Sequence, residues 1–203
     1  SLASSGLPVD RVRGSAASPP FAPRTRFDAV VFWASFEHMT LEERRSAWRA
    51  AGSLLGPDGL VFLIEAPNRL WPLDSHTSDL PFFQWLPDDL ATRYRSQALR
   101  GTVAGLEDGD VAGLARLGRG VSYHDLADGT GRRPEVVSCM QLCRRRRDPR
   151  RGVGWAVSRA GRTERLLRSY APEVERAWFQ PFHYLALRHP TPSAGGDPGQ
   201  AGA

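Results

Sequence analysis

The chain has 203 residues, of which 41% are hydrophobic, and carries a formal net charge of +5 at pH 7. This length is enough for one globular domain with its own core. No apolar stretch approaches the roughly 20 residues that a membrane-spanning helix needs, and no charged and apolar leader opens the sequence. We therefore expect a cytoplasmic protein without a membrane partner.

All 27 basic residues are arginine, and isoleucine and asparagine each occur once. Because lysine, isoleucine and asparagine have AT-rich codons, this bias indicates a GC-rich bacterial genome. The absence of lysine excludes a Schiff-base mechanism. The same bias explains the arginine run at residues 144–147, which has no aromatic residue among its members to stack on bases. We predict a solvated loop there, and contact of these arginines with nucleic-acid phosphates is the alternative.

The first predicted elements lie between residues 9 and 65. Residues 9–14 alternate like a short strand, and residues 27–32 form a largely apolar run that predicts a buried strand. Thr40 and Glu43 have the spacing of a capping box and predict a helix, with the arginines at 44, 45 and 49 on its outer face. Gly56 to Gly59 end this helix, and residues 60–65 predict a second strand, parallel to the first.

The remainder of the chain is less regular. Residues 69–126 are rich in aromatic side chains and predict a segment that covers a substrate or a partner, including a helix from Asp88 to about residue 99. Residues 135–142 and 182–188 predict two more strands, with a helix over residues 162–170 between them. Residues 189–203 have low complexity and predict a disordered tail.

The order of residues 27–68 resembles the second half of the class I S-adenosylmethionine-dependent methyltransferase domain. In that family an "FDvV" strand, an "EH" turn, a helix, a "pGG" turn and another strand follow one another, as they do here. The resemblance implies an α/β fold with a doubly wound, Rossmann-like, mixed sheet whose last strand is antiparallel. It also implies that the first strand, the glycine-rich loop and the second strand lie upstream of residue 1. Residues 1–188 would then form a partial, N-terminally truncated domain.

The resemblance also assigns residues to the cofactor, S-adenosyl-L-methionine. Trp33, Ala34 and Ser35 would line the cofactor pocket, since they follow the first apolar strand. Ser15, with Ala16 beside it, takes the place of an acidic residue that hydrogen-bonds the adenine amino group in the family. A serine hydroxyl can make this bond, although more weakly than a carboxylate.

Glu37 and His38 begin the helical segment that follows the predicted cofactor residues. His38 is the best candidate for a general base, because imidazoles exchange protons near neutral pH. Glu37 is the second candidate for a catalytic group. Both side chains could instead bond only the backbone and the neighbouring helix, and the sequence leaves this alternative open.

The segment that follows the second strand contains four candidate residues for binding the acceptor substrate. The amide of Asn68 could orient an acceptor, and the guanidinium of Arg69 could bind a carboxylate or a phosphate, although turn formation also explains this pair. Trp71 and His76 follow within a "PNRxWPxDxH" segment that some bacterial methyltransferases share. Asp74 and His76 could begin a metal site, but no second ligand cluster follows, so we expect no metal.

The sequence therefore predicts a methyltransferase that acts on a small-molecule acceptor of unknown identity. The alternative is a catalytically inactive domain that serves as a scaffold or binding partner. The strand predicted at residues 27–32 would lack one neighbour in a partial sheet. Its exposed edge predicts pairing with another chain or a homo-oligomer.

Overall fold

The computed structural model describes residues 10–127 and 132–190, and its centre is a four-stranded mixed sheet in the order β1-β2-β4-β3. Strands β1 and β2 are parallel, and β4 is antiparallel to both β2 and β3. The predicted α/β class and the mixed sheet are confirmed, and the arrangement is compatible with a Rossmann-like fold. The strands are β1 (Phe27–Trp33), β2 (Leu55–Pro67), β3 (Glu135–Cys139) and β4 (Phe182–Arg188).

Helix α1 (Leu41–Leu54) connects the two parallel strands and begins as predicted. The hydroxyl of Thr40 accepts a hydrogen bond from the backbone N–H of Glu43, and the Glu43 carboxylate accepts one from the backbone N–H of Thr40. The predicted turn at residues 56–59 lies within β2 as a bulge. Phe27 pairs with Leu55 and Ala29 with Leu60, so β2 holds extra residues there.

The main core lies between the sheet and the helices that cover it. Apolar side chains from α1 pack on the inner faces of β1, β2 and β4, which removes their surface from water and drives folding. A 3₁₀ turn at Arg176–Phe179 completes this core from the side of β4. Its largest fully buried apolar members are Phe36, Trp48, Leu63, Leu126, Trp178, Leu185 and Leu187.

The aromatic-rich segment contains four short helices and a small core of its own. This core consists of Phe83, Ala91, Val103 and Leu114. The helix predicted from Asp88 to residue 99 ends early, because a 3₁₀ turn at Tyr94–Gln97 replaces its second half, and Pro87 occupies the capping position assigned to Asp88. The helices are α2 (Asp88–Arg93), α3 (Gly101–Ala104), α4 (Val111–Arg116) and α5 (Tyr123–Ala127).

The C-terminal part contains three helices before β4. The strand predicted over residues 135–142 ends at Cys139, where α6 (Met140–Arg147) begins, so the arginine run is helical and the predicted loop is wrong. The guanidinium of Arg145 lies 3.5 Å from the centre of the Trp155 ring, which anchors α6 to α7 (Pro149–Val157). Helix α8 (Arg159–Tyr170) confirms the helix predicted there.

Both ends of the described chain differ from the predictions. Residues 10–14 form no strand and are exposed, because their alternating arginines leave no apolar face to bury against β1. Phe21 contacts Phe27 edge-on instead, at the amino end of β1. His189, predicted to begin the tail, stacks on Trp48 with ring centres 4.6 Å apart, and the rest of the predicted tail beyond Pro190 lies outside the described residues.

Across the described residues, every helix is too short or too polar to span a bilayer.

Candidate functional site

The carboxyl ends of β1 and β2 lie side by side, because the two strands are parallel neighbours. After β1, Ala34 adopts a left-handed backbone with φ of 43°, and a 3₁₀ turn at Phe36–His38 follows. Glu65 in β2 is also left-handed, with φ of 61°. The indole N–H of Trp33 donates to the Glu65 carboxylate over 2.9 Å. Two strained backbone positions therefore shape this edge of the sheet.

The predicted cofactor residues form two separate groups. Trp33 is 64% exposed beside Ala34, and the Ser35 side chain makes no capping hydrogen bond. Ser15 accepts a hydrogen bond from Ala17 within its own exposed turn, which also includes Ala16. Among the described residues, no hydrogen bond, ion pair or ring contact joins this turn to residues 33–35. Trp33, Ala34 and Ser35 can form one open side of a ligand site. No described contact joins Ser15 and Ala16 to that side.

Glu37 and His38 are brought together with His76. The three side chains have ligand-type atoms that all lie within 4.8 Å of one another, and Nε2 of His38 is 3.8 Å from Oε1 of Glu37. Burial raises the pKa of the Glu37 carboxyl, and burial followed by the charge of His38 lowers the pKa of His76. Among residues 10–127 and 132–190, these three side chains are the group that could hold a metal ion. The sequence had paired His76 with Asp74 instead.

Asp74 is fully buried and stabilises the turn that carries His76. Its carboxylate accepts backbone hydrogen bonds from His76, Thr77 and Ser78 and a side-chain bond from Gln84. Because these donors occupy both carboxylate oxygens, the Asp74 carboxylate is not available to bind a metal ion. Its contacts place the His76 ring beside the turn after β1.

Arg44 holds the turn that carries Glu37 and His38. Its guanidinium is buried, forms an ion pair of 3.0 Å with Asp125, and donates to backbone carbonyls on both sides of the site. The prediction that Arg44 lies on the outer face of α1 is wrong. Residues 44, 47, 48 and 51 have helical spacing, so the sequence already indicated that Arg44 belongs to the buried face. The backbone carbonyls that accept hydrogen bonds from the Arg44 guanidinium belong to Phe36, Glu37, Met39, Arg119 and Gly120.

Two of the predicted acceptor residues, Asn68 and Trp71, are buried within the fold. The Asn68 amide group donates to the carbonyls of Trp178 and Gln180, each over 2.7 Å, and its oxygen accepts from the backbone N–H of Leu70. Trp71 is buried nearby. The hydrogen-bonding atoms of Asn68 thus have partners within the fold, and the acceptor role of Asn68 and Trp71 stays a prediction.

Arg69 does line a pocket. The pocket has a volume of about 370 Å³ and lies between the segment after β2, the start of α5 and helix α8. The Arg69 guanidinium is 3.8 Å from Asp88, a long contact for an ion pair. The rest of the wall combines apolar and aromatic side chains with four polar ones. The apolar and aromatic members are Leu70, Trp85, Tyr123, Leu167, Ala171 and Phe179, and the polar members are Gln84, Ser122, His124 and Asp125. This pocket suits a small molecule with an apolar body and an anionic group.

Gly118 and Arg116, which the sequence did not indicate as site residues, complete the surroundings of the two histidines. The carbonyl of Arg116 accepts a hydrogen bond from Nδ1 of His38, and the Arg116 side chain donates to the His38 carbonyl. Gly118 has φ of +97°, a conformation that favours glycine. Only the Gly-Arg-Gly sequence at 118–120 signals a special backbone here.

Comparisons with family models, with curated proteins and with solved structures found no match to this chain. Its function must therefore be argued from the geometry of the described residues.

Proposed function

We propose that this chain is part of an S-adenosylmethionine-dependent methyltransferase domain that acts on a small molecule. The observation that carries the proposal is the direction of β4, which is antiparallel to both of its neighbours in a sheet that otherwise has parallel β1 and β2. The resemblance of residues 27–68 implies this mixed sheet. The turn with Glu37 and His38 follows β1, at the sheet edge where ligands of such folds bind.

Residues 33–35 fit one side of the cofactor. The exposed indole of Trp33 offers a flat face to a nucleoside, and the left-handed Ala34 turns the backbone so that the Ser35 hydroxyl can reach a polar group. A bound cofactor would supply a methyl group on a sulfonium. The chain would mainly align the acceptor with that methyl group and exclude water.

The pocket beside Arg69 fits the acceptor. Its guanidinium would hold a carboxylate or phosphate, and the rings of Trp85, Tyr123 and Phe179 would contact the apolar body. His38 has a free Nε2 at the same edge of the sheet, because its Nδ1–H donates to the Arg116 carbonyl. This nitrogen can accept the proton that an acceptor hydroxyl or amine releases.

The test is a calorimetric titration of the 203-residue chain with S-adenosylhomocysteine, with circular dichroism on the same sample. We expect a dissociation constant of micromolar order, which corresponds to about −8 kcal/mol. Trp33→Ala should weaken binding, whereas Trp85→Ala, an exposed indole in the other pocket, should leave it unchanged. A folded chain that does not bind would overturn the proposal.

A second candidate, a binding scaffold, is favoured by the exposure of β1. Within the described residues this strand has one strand neighbour, β2, and Val31 and Trp33 are 52% and 64% exposed. An apolar edge of this kind pairs readily with a strand of another chain. Sedimentation of the chain should then show dimers that Val31→Lys disperses, in a sample that does not bind S-adenosylhomocysteine.

A further inference from the structure

We propose that Glu37, His38 and His76 form a binding site for a divalent transition-metal ion of the zinc type. Two imidazoles and one carboxylate are a common ligand set for zinc, and here the three groups converge within 4.8 Å. Metal binding at this cluster can be measured apart from methyl transfer, because it needs neither the cofactor nor the acceptor.

The carboxylate of Glu37 is the strongest indication. Its side chain has no exposure to solvent, and neither carboxylate oxygen has a hydrogen-bond partner among the described residues. Arg44 donates to the backbone carbonyl of Glu37 over 2.8 Å and does not donate to the carboxylate. A buried carboxylate without partners is costly, and a bound cation would supply the missing compensation.

Hydrogen bonds determine which nitrogen of each imidazole carries the proton. Nδ1 of His38 must carry its proton, because its partner 2.8 Å away is the Arg116 carbonyl, which can only accept. Nδ1 of His76 faces the Thr77 hydroxyl over 3.3 Å, and that hydroxyl donates to the Gly118 carbonyl over 2.6 Å. His76 must therefore donate to Thr77. In each ring Nε2 keeps its lone pair, the arrangement that outer hydrogen bonds impose on metal-ligating histidines.

Gly118 lets the two rings approach each other. A Cβ at this position would lie 2.6 Å from Cε1 of His76 and 3.1 Å from Cε1 of His38. The loop that contains Gly118 thus supplies space for both imidazoles, and its carbonyls at 116 and 118 set their orientation. Two histidines on an ordinary surface need neither this space beside a glycine nor carbonyls that orient their rings.

The distances suit a zinc-sized ion after a small adjustment. Zinc lies about 2.0–2.2 Å from nitrogen and oxygen ligands, so tetrahedral ligand atoms are about 3.4 Å apart. The observed 3.8 Å between His38 and Glu37 is close to this separation. The side chain of His38 is 38% exposed, which gives an ion access from solvent. Three protein ligands leave a fourth position for an oxygen donor, such as water or an acceptor hydroxyl, which the ion would activate in place of a free imidazole.

The test uses Co²⁺ as a spectroscopic probe and Zn²⁺ for calorimetry on the metal-free full chain. We expect one ion per chain and visible absorption bands of tetrahedral or five-coordinate Co²⁺. His76→Gln and Glu37→Gln should weaken Zn²⁺ binding by more than the roughly 10–100-fold that loss of an outer hydrogen bond costs. The matched control is His124→Gln, which removes an exposed histidine outside the cluster and should bind Zn²⁺ normally.

Three results would overturn the assignment: no binding by the folded chain, equal binding by the variants, or thiolate charge-transfer bands that assign the ion to Cys139 and Cys143. Thermal melts show whether each variant is folded, so that loss of Zn²⁺ binding can be distinguished from loss of folding. Metal-free Glu37→Gln should melt at the same temperature or higher, because it removes an uncompensated buried charge, and Zn²⁺ should no longer raise its melting temperature. A lower melting temperature with an undiminished response to Zn²⁺ would assign Glu37 a structural role only.

Discussion

Replacement of Arg44 by methionine should destabilise the protein strongly while leaving the apolar stem of the side chain in place. The Arg44 guanidinium is buried, pairs with Asp125 over 3.0 Å and donates to carbonyls from the turn after β1 and from the loop before α5. Methionine is unbranched and can fill the same channel. The substitution therefore removes the charge and the hydrogen bonds, with little change in packing.

The expected loss of stability follows from the Asp125 carboxylate, which the substitution leaves buried and unpaired. Removing one partner of a buried ion pair costs about 3–5 kcal/mol, because the other charge stays buried and unpaired. We expect a loss of about 4 kcal/mol, a large fraction of the 5–15 kcal/mol that stabilises a typical domain. Adding Asp125→Asn to Arg44→Met should recover about 1–3 kcal/mol of coupling, since the orphaned carboxylate is then gone.

The assay is urea unfolding at pH 7, followed by tryptophan fluorescence. Arg49→Met is the control, since it removes an exposed arginine from the same helix and should change stability by no more than about 0.5 kcal/mol. If Arg44→Met and Arg49→Met unfold at the same urea concentration, Arg44 does not hold the site together and the reasoning is refuted.

Three further predictions concern buried polar groups. Burial lowers the pKa of His183 to about 4, so stability should fall as pH drops below the unfolded value near 6.5, by roughly 2 kcal/mol at pH 5, and His183→Gln should remove this component. Asp74→Asn should cost about 2 kcal/mol in urea unfolding, because an NH₂ group would face N–H donors at whichever oxygen it replaces. Asn68→Ala should cost about 2 kcal/mol by the same assay, since two buried carbonyls lose their donors.

Each of these predictions has a contrary result, and the one at Asp74 has a matched control. An identical pH dependence in the wild-type chain and in His183→Gln would contradict the burial argument. Asp79→Asn, at a partly exposed carboxylate that pairs with Arg100 nearby, should be almost neutral, and equal losses at positions 74 and 79 would contradict the role given to Asp74. For Asn68, unchanged stability would contradict the structural role, and a loss of ligand binding beside it would support the acceptor role that the sequence predicted.

The elements that could be predicted from the sequence depend on local physics. The capping box at Thr40, the apolar runs of β1 and β2, and the helix before β4 are set by side chains close to one another along the chain. The part of the strand predicted at residues 9–14 that the structure describes, residues 10–14, is not a strand, because alternation alone does not create a strand without a neighbour to pair with.

The candidate site was only partly predictable. Glu37 and His38 are recognisable because they follow a buried strand, and Arg69 because it follows the next one. The burial of Asn68 depends on carbonyls more than 100 residues away along the chain. Nothing local to that residue signals whether its amide faces a ligand or the interior.

The sequence by itself determined that the chain alternates strands and helices and that polar groups follow two parallel strands, since spacing and capping act over a few residues. Only the tertiary structure decided that His76 joins Glu37 and His38 and that Asp74 does not. That choice depends on the loop with Gly118, whose missing side chain leaves room for both imidazoles and whose carbonyls direct their protons. Contacts between distant segments form only when the whole core packs, so no local pattern encodes them.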